Sequence, residues 1–292
     1  MQRIALENRE LSVSLTPDFG ARIISLCDKQ TGRDWIAAGP CIGSAAADAT
    51  FGPKTATGWD ECFPTVGACV SPDGIVWRDH GDLWGRPWEV AAAASEHATT
   101  IFHHDGYRFE RTLTLAGASL HCRYLVENLA DKPLDYLWAK HALLALNQGD
   151  CVELPSGTRC RVTYRTDGRV AGAIAWPGGA DFSLDRVQPI GRRFAAKLLI
   201  DNGPVAGVRI GDAAGSLLIA ADARFAGSTG IWLCYGGWPG ADHIHQVAIE
   251  PTSAPADDLA GAMAMGRAVT IEPGRSASWW TRLTLGPGLA AR

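Results

Sequence analysis

Two titratable residues of this chain stand in apolar segments, where a charge is costly. Glu250 follows the apolar run 247–249 and precedes Pro251, and His141 lies in the apolar segment 137–144. Because Pro251 has no N–H to give to a sheet, we expect Glu250 at the end of a strand or at a bulge. A half-desolvated carboxylate binds a proton more readily, and an imidazole titrates near neutrality, so the two could form a proton-relay couple. Structural carboxylates and core histidines are commoner than catalytic ones, so this role depends on whether the two side chains meet.

Two stretches with little regular patterning carry many aromatic and charged residues. They span 39–86 and 236–245 and are rich in glycine. Aromatic faces stack on the apolar side of a pyranose while Asp, His and Arg bond its hydroxyls, so this mixture is typical of a sugar site. Core packing is the competing explanation for the tryptophans. The side chains that could bind a sugar are Trp59, Asp60, His80, Trp84, Arg86 and Trp238.

Other kinds of site find little support in the sequence. It contains no Gly-x-Ser-x-Gly elbow, no phosphate-cradling glycine loop and no Cys-x-x-Cys pair. His243 and His245 could face one metal ion, but no third ligand stands at a matching spacing. We therefore expect no metal, no cofactor and non-covalent acid–base chemistry. The eight cysteines are expected to be reduced and mostly buried.

Composition limits the class of protein. Of 292 residues, 47% are apolar and 20% are charged, which is typical of a chain that folds alone. The net charge is -4 and the Lys and Arg residues are scattered, which gives no basic stripe for a nucleic acid. The first residues lack the apolar stretch of a signal peptide, and no run is long enough to cross a bilayer. We expect a cytoplasmic monomer or homodimer without a nucleic-acid or membrane partner.

The patterning along the chain predicts an all-β fold. Short alternating or apolar runs bounded by turn residues recur throughout, whereas helical periodicity is confined to 257–265, with room for a turn or two. No repeat or linker divides the sequence, so we expect one large antiparallel β domain over 1–292. The predicted strands cover 10–15, 22–27, 88–92, 99–103, 109–115, 120–127, 161–164, 195–200, 207–210, 216–220, 230–235, 268–271 and 276–285.

In their order and separation, several segments resemble motifs of the aldose 1-epimerase (galactose mutarotase-like) superfamily, over nearly the full length of the chain. The segment 19–26 looks like the opening strand of that family, and 58–67 is similar to the Gly-x-x-x-Cys-Phe-Pro loop of its hexose-6-phosphate epimerase branch. His80-Gly81, followed by Arg86 and Trp88, resembles the His-Gly-Phe-x-Arg loop of the same branch. The segments 138–146 and 248–251 resemble the strands that carry the catalytic histidine and glutamate.

The resemblance implies a large antiparallel β-sandwich of the galactose mutarotase type, which interconverts the α and β anomers of a small-molecule carbohydrate without a cofactor. Glu250 would be the base that accepts the proton of the anomeric hydroxyl, and His141 the acid that protonates the ring oxygen. His80 matches the second, substrate-binding histidine of the family. Arg86 and Asp60 would bond hydroxyls, with a tryptophan as the stacking platform.

Two departures from the family pattern bear on the substrate. Asp60 and Glu61 stand in place of the Gly-Ile-Pro of the phosphosugar branch, and the segment between Gly81 and Arg86 is longer than usual. Two added acids would repel a phosphate dianion, which favours a neutral aldose or a derivative. The strand after His141 lacks the Tyr-Phe-Asn of galactose mutarotases, which argues against galactose itself.

Two other functions stay open at this point. A non-catalytic sugar-binding protein on the same scaffold would not need a proton couple. A glycoside hydrolase would need a second carboxylate across the pocket from Glu250, for which Asp60 and Glu61 are the candidates.

Overall fold

The computed structural model describes residues 2–39, 50–169, 172–178, 181–239 and 243–290. Strands dominate this part of the chain, which confirms the predicted all-β class. Its helices are α1 (Leu259–Ala264), capped by the Asp258 side chain, and a 3-10 turn at Ile190–Arg192. The strands are β1 (Ile4–Glu7), β2 (Leu11–Thr16), β3 (Arg22–Asp28), β4 (Trp59–Cys62), β5 (Cys69–Val70), β6 (Val76–Trp77), β7 (Glu89–Ala93), β8 (His97–His104), β9 (Tyr107–Ala116), β10 (Ser119–Asn128), β11 (Leu134–Tyr136), β12 (Ala139–Leu144), β13 (Cys151–Glu153), β14 (Arg159–Arg165), β15 (Gly172–Ala175), β16 (Phe194–Ile200), β17 (Val208–Gly211), β18 (Ser216–Ala221), β19 (Ser228–Tyr235), β20 (His245–Thr252), β21 (Val269–Ile271) and β22 (Ser276–Gly286).

Two large antiparallel sheets form a β-sandwich. The first has ten strands in the order β1-β2-β3-β4-β12-β20-β19-β16-β14-β15, and the second has eight in the order β13-β17-β18-β22-β10-β9-β8-β7. Two small sheets pair β11 with β21 and β5 with β6. The strands at the centre of the first sheet, β4, β12, β20 and β19, come from distant parts of the sequence, so this sheet brings together the segments on which a site could be built.

The facing sides of the two sheets share one apolar core. In β20, Val247 and Ile249 belong to that core, whereas Gln246 and Glu250 line a cavity on the other face of the sheet. The two-residue repeat of a strand imposes this division. Burial of each large apolar side chain contributes about 1.5–3 kcal/mol to folding. One face of β20 therefore holds the sandwich together, and the other is free to carry a site.

The predicted strands and the short helix are confirmed to within a few residues of their predicted bounds. The stretch 39–86 is not irregular throughout, however, because β4 runs through it and all four of its residues are buried. A strand covered on both faces shows no polar–apolar alternation, which explains why the pattern did not predict it. The parts 40–49 and 240–242 of the two predicted loops lie outside the described residues.

Glu250 lies inside β20, which corrects the expectation that Pro251 would end the strand. Pairing of β20 with β19 is continuous along the whole of β20. On the other side, pairing with β12 is present at Thr252 and at Ala248 but not between them. Pro251 fits within the strand because its missing N–H falls where the ladder is interrupted.

The described part of the chain contains no disulfide and no membrane-spanning helix. Seven cysteines fall in the described residues and all are free thiols, while Cys41 lies outside them. In this part of the chain, no helix is long and apolar enough to cross a membrane.

Candidate active site

His141 and Glu250 meet on the face of the ten-stranded sheet that is turned away from the core. Antiparallel pairing of β12 with β20 places Leu143 opposite Ala248, and the same register two residues further along places His141 opposite Glu250. His141 Nε2 lies 3.8 Å from Glu250 Oε1. Only 9% of the His141 side chain and 3% of the Glu250 side chain are exposed. The imidazole and the carboxylate are therefore neighbours in a nearly dry site.

A lysine that the sequence reasoning did not select completes this couple. Lys197 on β16 reaches across β19 and donates a hydrogen bond to Glu250 Oε2. β19 presents Gly230 opposite Glu250, and a Cβ at that position would lie 2.7 Å from Oε2 and 3.4 Å from Lys197 Nζ. The contact thus depends on the absence of a side chain at residue 230. Glu250 Oε1 has no hydrogen-bond partner among the described residues, and this oxygen faces His141.

His80 approaches the same place from a tight turn between β6 and β7. The backbone of His80 and Gly81 is left-handed, with φ values of 64° and 69°. A Cβ at residue 81 would lie 2.1 Å from the carbonyl oxygen of Phe63, so this close approach requires glycine. The centroid of the His80 ring lies 4.7 Å from that of His141. The His80-Gly81 pair therefore forms the tight turn that places a second imidazole beside the first.

The described residues enclose a cavity of about 220 Å³ above these groups. Phe51 forms part of its apolar wall, stacking on the His80 ring with centroids 3.7 Å apart and meeting the His141 ring edge-on at 5.4 Å. A concave apolar pocket with a few converging polar groups is the usual form of a small-molecule site. The polar residues that line it are His80, His141, Lys197, Gln246, Glu250 and Asp257.

The dry surroundings alter the acidity of two groups. Burial lowers the pKa of His141 well below its usual value, and the neighbouring His80 and Lys197 add to the effect. The imidazolium form is therefore a strong acid that gives up its proton readily. Burial also raises the pKa of the Cys62 thiol, and the negative charge of Glu250 contributes next.

Two of the predicted substrate-binding residues lie on β4 and do not line the cavity that the described residues form. Asp60 is 1% exposed, and its two oxygens accept hydrogen bonds from Arg22 at 3.0 and 2.5 Å. Trp59 is fully buried on the core side of the strand, where Lys140 Nζ lies 4.0 Å from its ring centroid. In this structure both residues belong to the frame around the site.

The remaining predicted binding residues divide between the frame and the cavity. Trp84 is fully buried, and its ring meets Phe51 edge-on with centroids 5.4 Å apart. Arg86 pairs with Asp82, with 3.3 Å between Nη2 and Oδ1, and does not line the cavity that the described residues form. Trp238 does line it. Of the three tryptophans that the sequence put forward, Trp238 is therefore the one with a ring open to a ligand.

Glu61 lies on the core side of the sheet and is wholly buried. Its oxygens accept hydrogen bonds from Trp59, Arg111, Tyr124 and Trp138. Glu61 is held in the core and Asp60 is paired with Arg22, and neither lines the cavity of the described residues, which weakens the case for either as the second acid of a hydrolase. Each of the two acids is paired with an arginine outside the cavity lining, so their charges are no reason to exclude a phosphosugar.

Several cavity residues were missed because they lie in strands that were interpreted as core or in irregular segments. Lys197 is the only charged residue of the apolar strand β16, and that isolation was the available signal. Gln246 stands four residues before Glu250 and hence on the same face of β20. Phe51 and Asp257 lie outside regular structure, so periodicity could not place them.

Comparison with known proteins supports the fold. No protein-family model matches the sequence, and no curated protein matches it. A solved structure from Synechocystis sp. PCC 6803 superposes with a TM-score of 0.73 at 16% identity, covering 98% of this chain and 96% of that chain. A galactose mutarotase related enzyme from Lactobacillus acidophilus gives 0.68 at 18% identity and covers 98% of both chains. The GalM/aldose epimerase homologue from C. elegans gives 0.66 at 16% identity and covers 99% of both chains.

These likenesses define the fold, which is the galactose mutarotase-like β-sandwich. The chain has this fold over nearly its whole length, as the resemblance of its sequence motifs predicted. At such low identities the comparison concerns the fold, and the function has to be argued from the site.

Proposed function

We propose that this protein is an aldose 1-epimerase, an isomerase that interconverts the α and β anomers of an aldose by acid–base opening of the sugar ring. The observation that carries the proposal is the contact between His141 and Glu250 in a nearly dry cavity, with 3.8 Å between Nε2 and Oε1. Opening a hemiacetal requires removal of one proton and delivery of another. A carboxylate that accepts one proton and an imidazole that delivers another, side by side, supply both without a cofactor.

In the proposed reaction, Glu250 Oε1 accepts the proton of the anomeric hydroxyl. The electron pair of that O–H bond forms the C1 carbonyl, and the bond between C1 and the ring oxygen breaks. The protonated form of His141 delivers its proton to the ring oxygen. Its lowered pKa makes this form a stronger acid but also a minor one at neutral pH. After rotation about the C1–C2 bond, His141 takes the proton back as the ring oxygen attacks the other face of C1, and Glu250 returns its proton to the new hydroxyl.

The other cavity residues fit the recognition of a sugar. His80 and Gln246 offer hydrogen-bonding groups to hydroxyls, and the Trp238 ring offers a face to the apolar side of a pyranose. Lys197 holds Glu250 Oε2 and so leaves Oε1 as the oxygen available to the substrate. Hydroxyl recognition together with a proton couple favours a catalyst over a simple sugar-binding protein.

Anomer exchange can be measured directly by saturation-transfer NMR across a panel of aldoses, including phosphorylated ones. We expect Glu250→Gln and His141→Ala each to lower the catalysed rate by about 10²–10⁴-fold, the usual contribution of general acid–base catalysis. Glu272→Gln and His103→Ala are matched controls, since both residues are exposed and outside the cavity. These controls should retain the wild-type rate.

The alternatives predict other outcomes. Sugar binding without acceleration of anomer exchange, for every aldose in the panel, would favour the non-catalytic binding protein. Release of nitrophenol from nitrophenyl glycosides would favour a hydrolase, with Asp257 as the second acid that lines the cavity.

A further inference from the structure

Cys62, His80 and His141 come together from three separate elements, and the two histidines also line the cavity. Their candidate ligand atoms, the Cys62 sulfur and one nitrogen of each imidazole, all lie within 4.8 Å of one another. Cys62 is the last residue of β4, where it pairs with Ala139 of β12, two residues before His141. Sheet register and the left-handed turn at His80 therefore bring a thiol and two imidazoles together.

We propose that these three side chains form a binding site for a soft divalent cation, with Zn²⁺ as the expected ion. One thiolate and two imidazoles are a ligand set that zinc accepts, and three protein ligands leave a fourth position open. Hard cations such as Mg²⁺ prefer oxygen ligands and should bind poorly here. Glu250 lies 3.8 Å from His141 and adds negative charge beside the site.

The surroundings of the two imidazoles support this assignment. The Nδ1 atoms of His80 and His141 are both buried without a hydrogen-bond partner among the described residues. Asp79 Oδ2 lies 3.2 Å from His80 Nδ1, although outside hydrogen-bonding geometry. A carboxylate in this place is the outer partner that a metal-bound imidazole usually has, and it would leave Nε2 of His80 to bind the ion.

The distances require only a small contraction. Tetrahedral coordination at usual zinc bond lengths puts ligand atoms about 3.5 Å apart, so the group must close by about 1 Å. Rotation of the rings could supply this movement, because neither Nδ1 atom has a hydrogen bond to break among the described residues. Binding would also displace the proton of the Cys62 thiol into solvent.

A bound ion would have a functional consequence. A metal-bound His141 cannot deliver a proton to a sugar, so Zn²⁺ should inhibit anomer exchange. This consequence rests on the proposed function, whereas the binding itself does not.

The test uses Co²⁺ as a spectroscopic probe for Zn²⁺. The purified protein, freed of metal with a chelator and kept reduced, is titrated with Co²⁺ and then with Zn²⁺ as a competitor. We expect one equivalent of Co²⁺ to give a thiolate-to-cobalt charge-transfer band that Zn²⁺ abolishes. Cys62→Ser should remove the band and weaken Zn²⁺ binding at least about a hundredfold. Cys27→Ser, which removes a partly exposed thiol on β3, should leave both unchanged.

A second variant covers the case in which Cys62→Ser does not fold. His80→Asn tolerates the left-handed backbone of residue 80 and should lose the band while it keeps the wild-type circular dichroism spectrum. Absence of a charge-transfer band in the wild-type protein, or its persistence in either site variant, would overturn the proposal. Because the readout is spectroscopic, this result is separate from the outcome of the anomer-exchange assay.

Discussion

The two oxygens of Glu250 have different surroundings, and that difference decides which one is available as the proposed base. Oε2 accepts a hydrogen bond from Lys197, while Oε1 has no partner among the described residues and faces His141. A lysine that holds one oxygen fixes the rotation of the carboxylate beside a buried imidazole. Lys197 is therefore a positioning residue in the proposed reaction.

Removal of that lysine should slow the reaction more than it weakens sugar binding. In Lys197→Met we expect kcat to fall by about 10–100-fold with KM changed little. A misplaced carboxylate weakens stabilisation of the transition state more than it weakens binding of the sugar. Lys197→Arg should recover part of the rate, because it restores a cation. Steady-state kinetics by polarimetry measures both constants. Lys29→Met on the surface is the control, and an equal rise of KM in Lys197→Met would instead indicate a role in substrate binding.

At this scale the sequence singled out Glu250 and His141, which the structure brings together, but not the residues around them. Glu250 and His141 were recognisable because each is a titratable residue in an apolar segment. Strand register decides to which face of the sheet each side chain of β4 belongs. The sequence therefore could not predict that Trp59 and Glu61 face the core or that Asp60 pairs with Arg22. Lys197 approaches Glu250 across a whole strand, a contact that sequence spacing does not reveal.

Strand β19 contributes to the site because it has no side chain at residue 230. Gly230 sits between β16 and β20 at the level of Glu250, and the space above its Cα is filled by Glu250 Oε2 and Lys197 Nζ. Gly230→Ala should push the carboxylate away from the lysine, and we expect a loss of about tenfold or more in kcat/KM with the fold retained. The measurement is anomer exchange together with circular dichroism.

Gly215→Ala is the matched control for this change. Gly215 has nothing within 4 Å of an added Cβ and lies at the turn before β18, so the same substitution should leave both activity and stability nearly unchanged. Wild-type activity in Gly230→Ala would show that Glu250 does not need its contact with Lys197.

Most strands were predictable because one of their faces is polar or they lie between clear turn signals. The exceptions have physical reasons. β4 is buried on both faces within a stretch rich in aromatic and acidic residues, and this composition is typical of a loop. Pro251 suggested a strand end, yet the strand continues because only one of its two neighbouring ladders is interrupted there.

Across the whole molecule, Glu61 links the two sheets of the sandwich. It belongs to β4 in the ten-stranded sheet and accepts hydrogen bonds from Arg111 on β9 and Tyr124 on β10 in the eight-stranded sheet. Arg111 is 0% exposed, so removal of its counter-charge would leave a buried cation unpaired. We expect Glu61→Gln to lower the free energy of unfolding by about 3 kcal/mol, measured by urea denaturation.

The matched change is Glu110→Gln on the same strand as Arg111, where the carboxylate pairs with the partly exposed Arg108. A partly exposed pair contributes little, so this variant should lie within about 1 kcal/mol of the wild type. Equal stability of Glu61→Gln and Glu110→Gln would mean that the inter-sheet contact is not a significant source of stability.

Lys140 lies in the same interior, but its buried charge lowers the stability of the fold. Its Nζ is buried above the Trp59 ring without a hydrogen-bond partner among the described residues, and burial lowers the pKa of Lys140 to about 8. Relative to the usual value of 10.5, this shift corresponds to roughly 3 kcal/mol against the charged form. We therefore expect Lys140→Met to be more stable than the wild type at pH 7 by about 2 kcal/mol, since an apolar side chain of similar size removes the buried charge.

The pH dependence distinguishes this explanation from improved packing. Between pH 8 and 10.5 the unfolded wild type holds a proton on Lys140 that the folded protein has released, so wild-type stability gains from this residue as the pH rises. The advantage of Lys140→Met should therefore shrink between pH 7 and pH 9.5, whereas the effect of Lys132→Met at an exposed position should not change. Urea denaturation of the three proteins at both pH values measures the difference. An advantage that stays constant with pH would point to packing, and lower stability of Lys140→Met at pH 7 would show that attraction to Glu61 and Trp59 outweighs the cost of burying the charge.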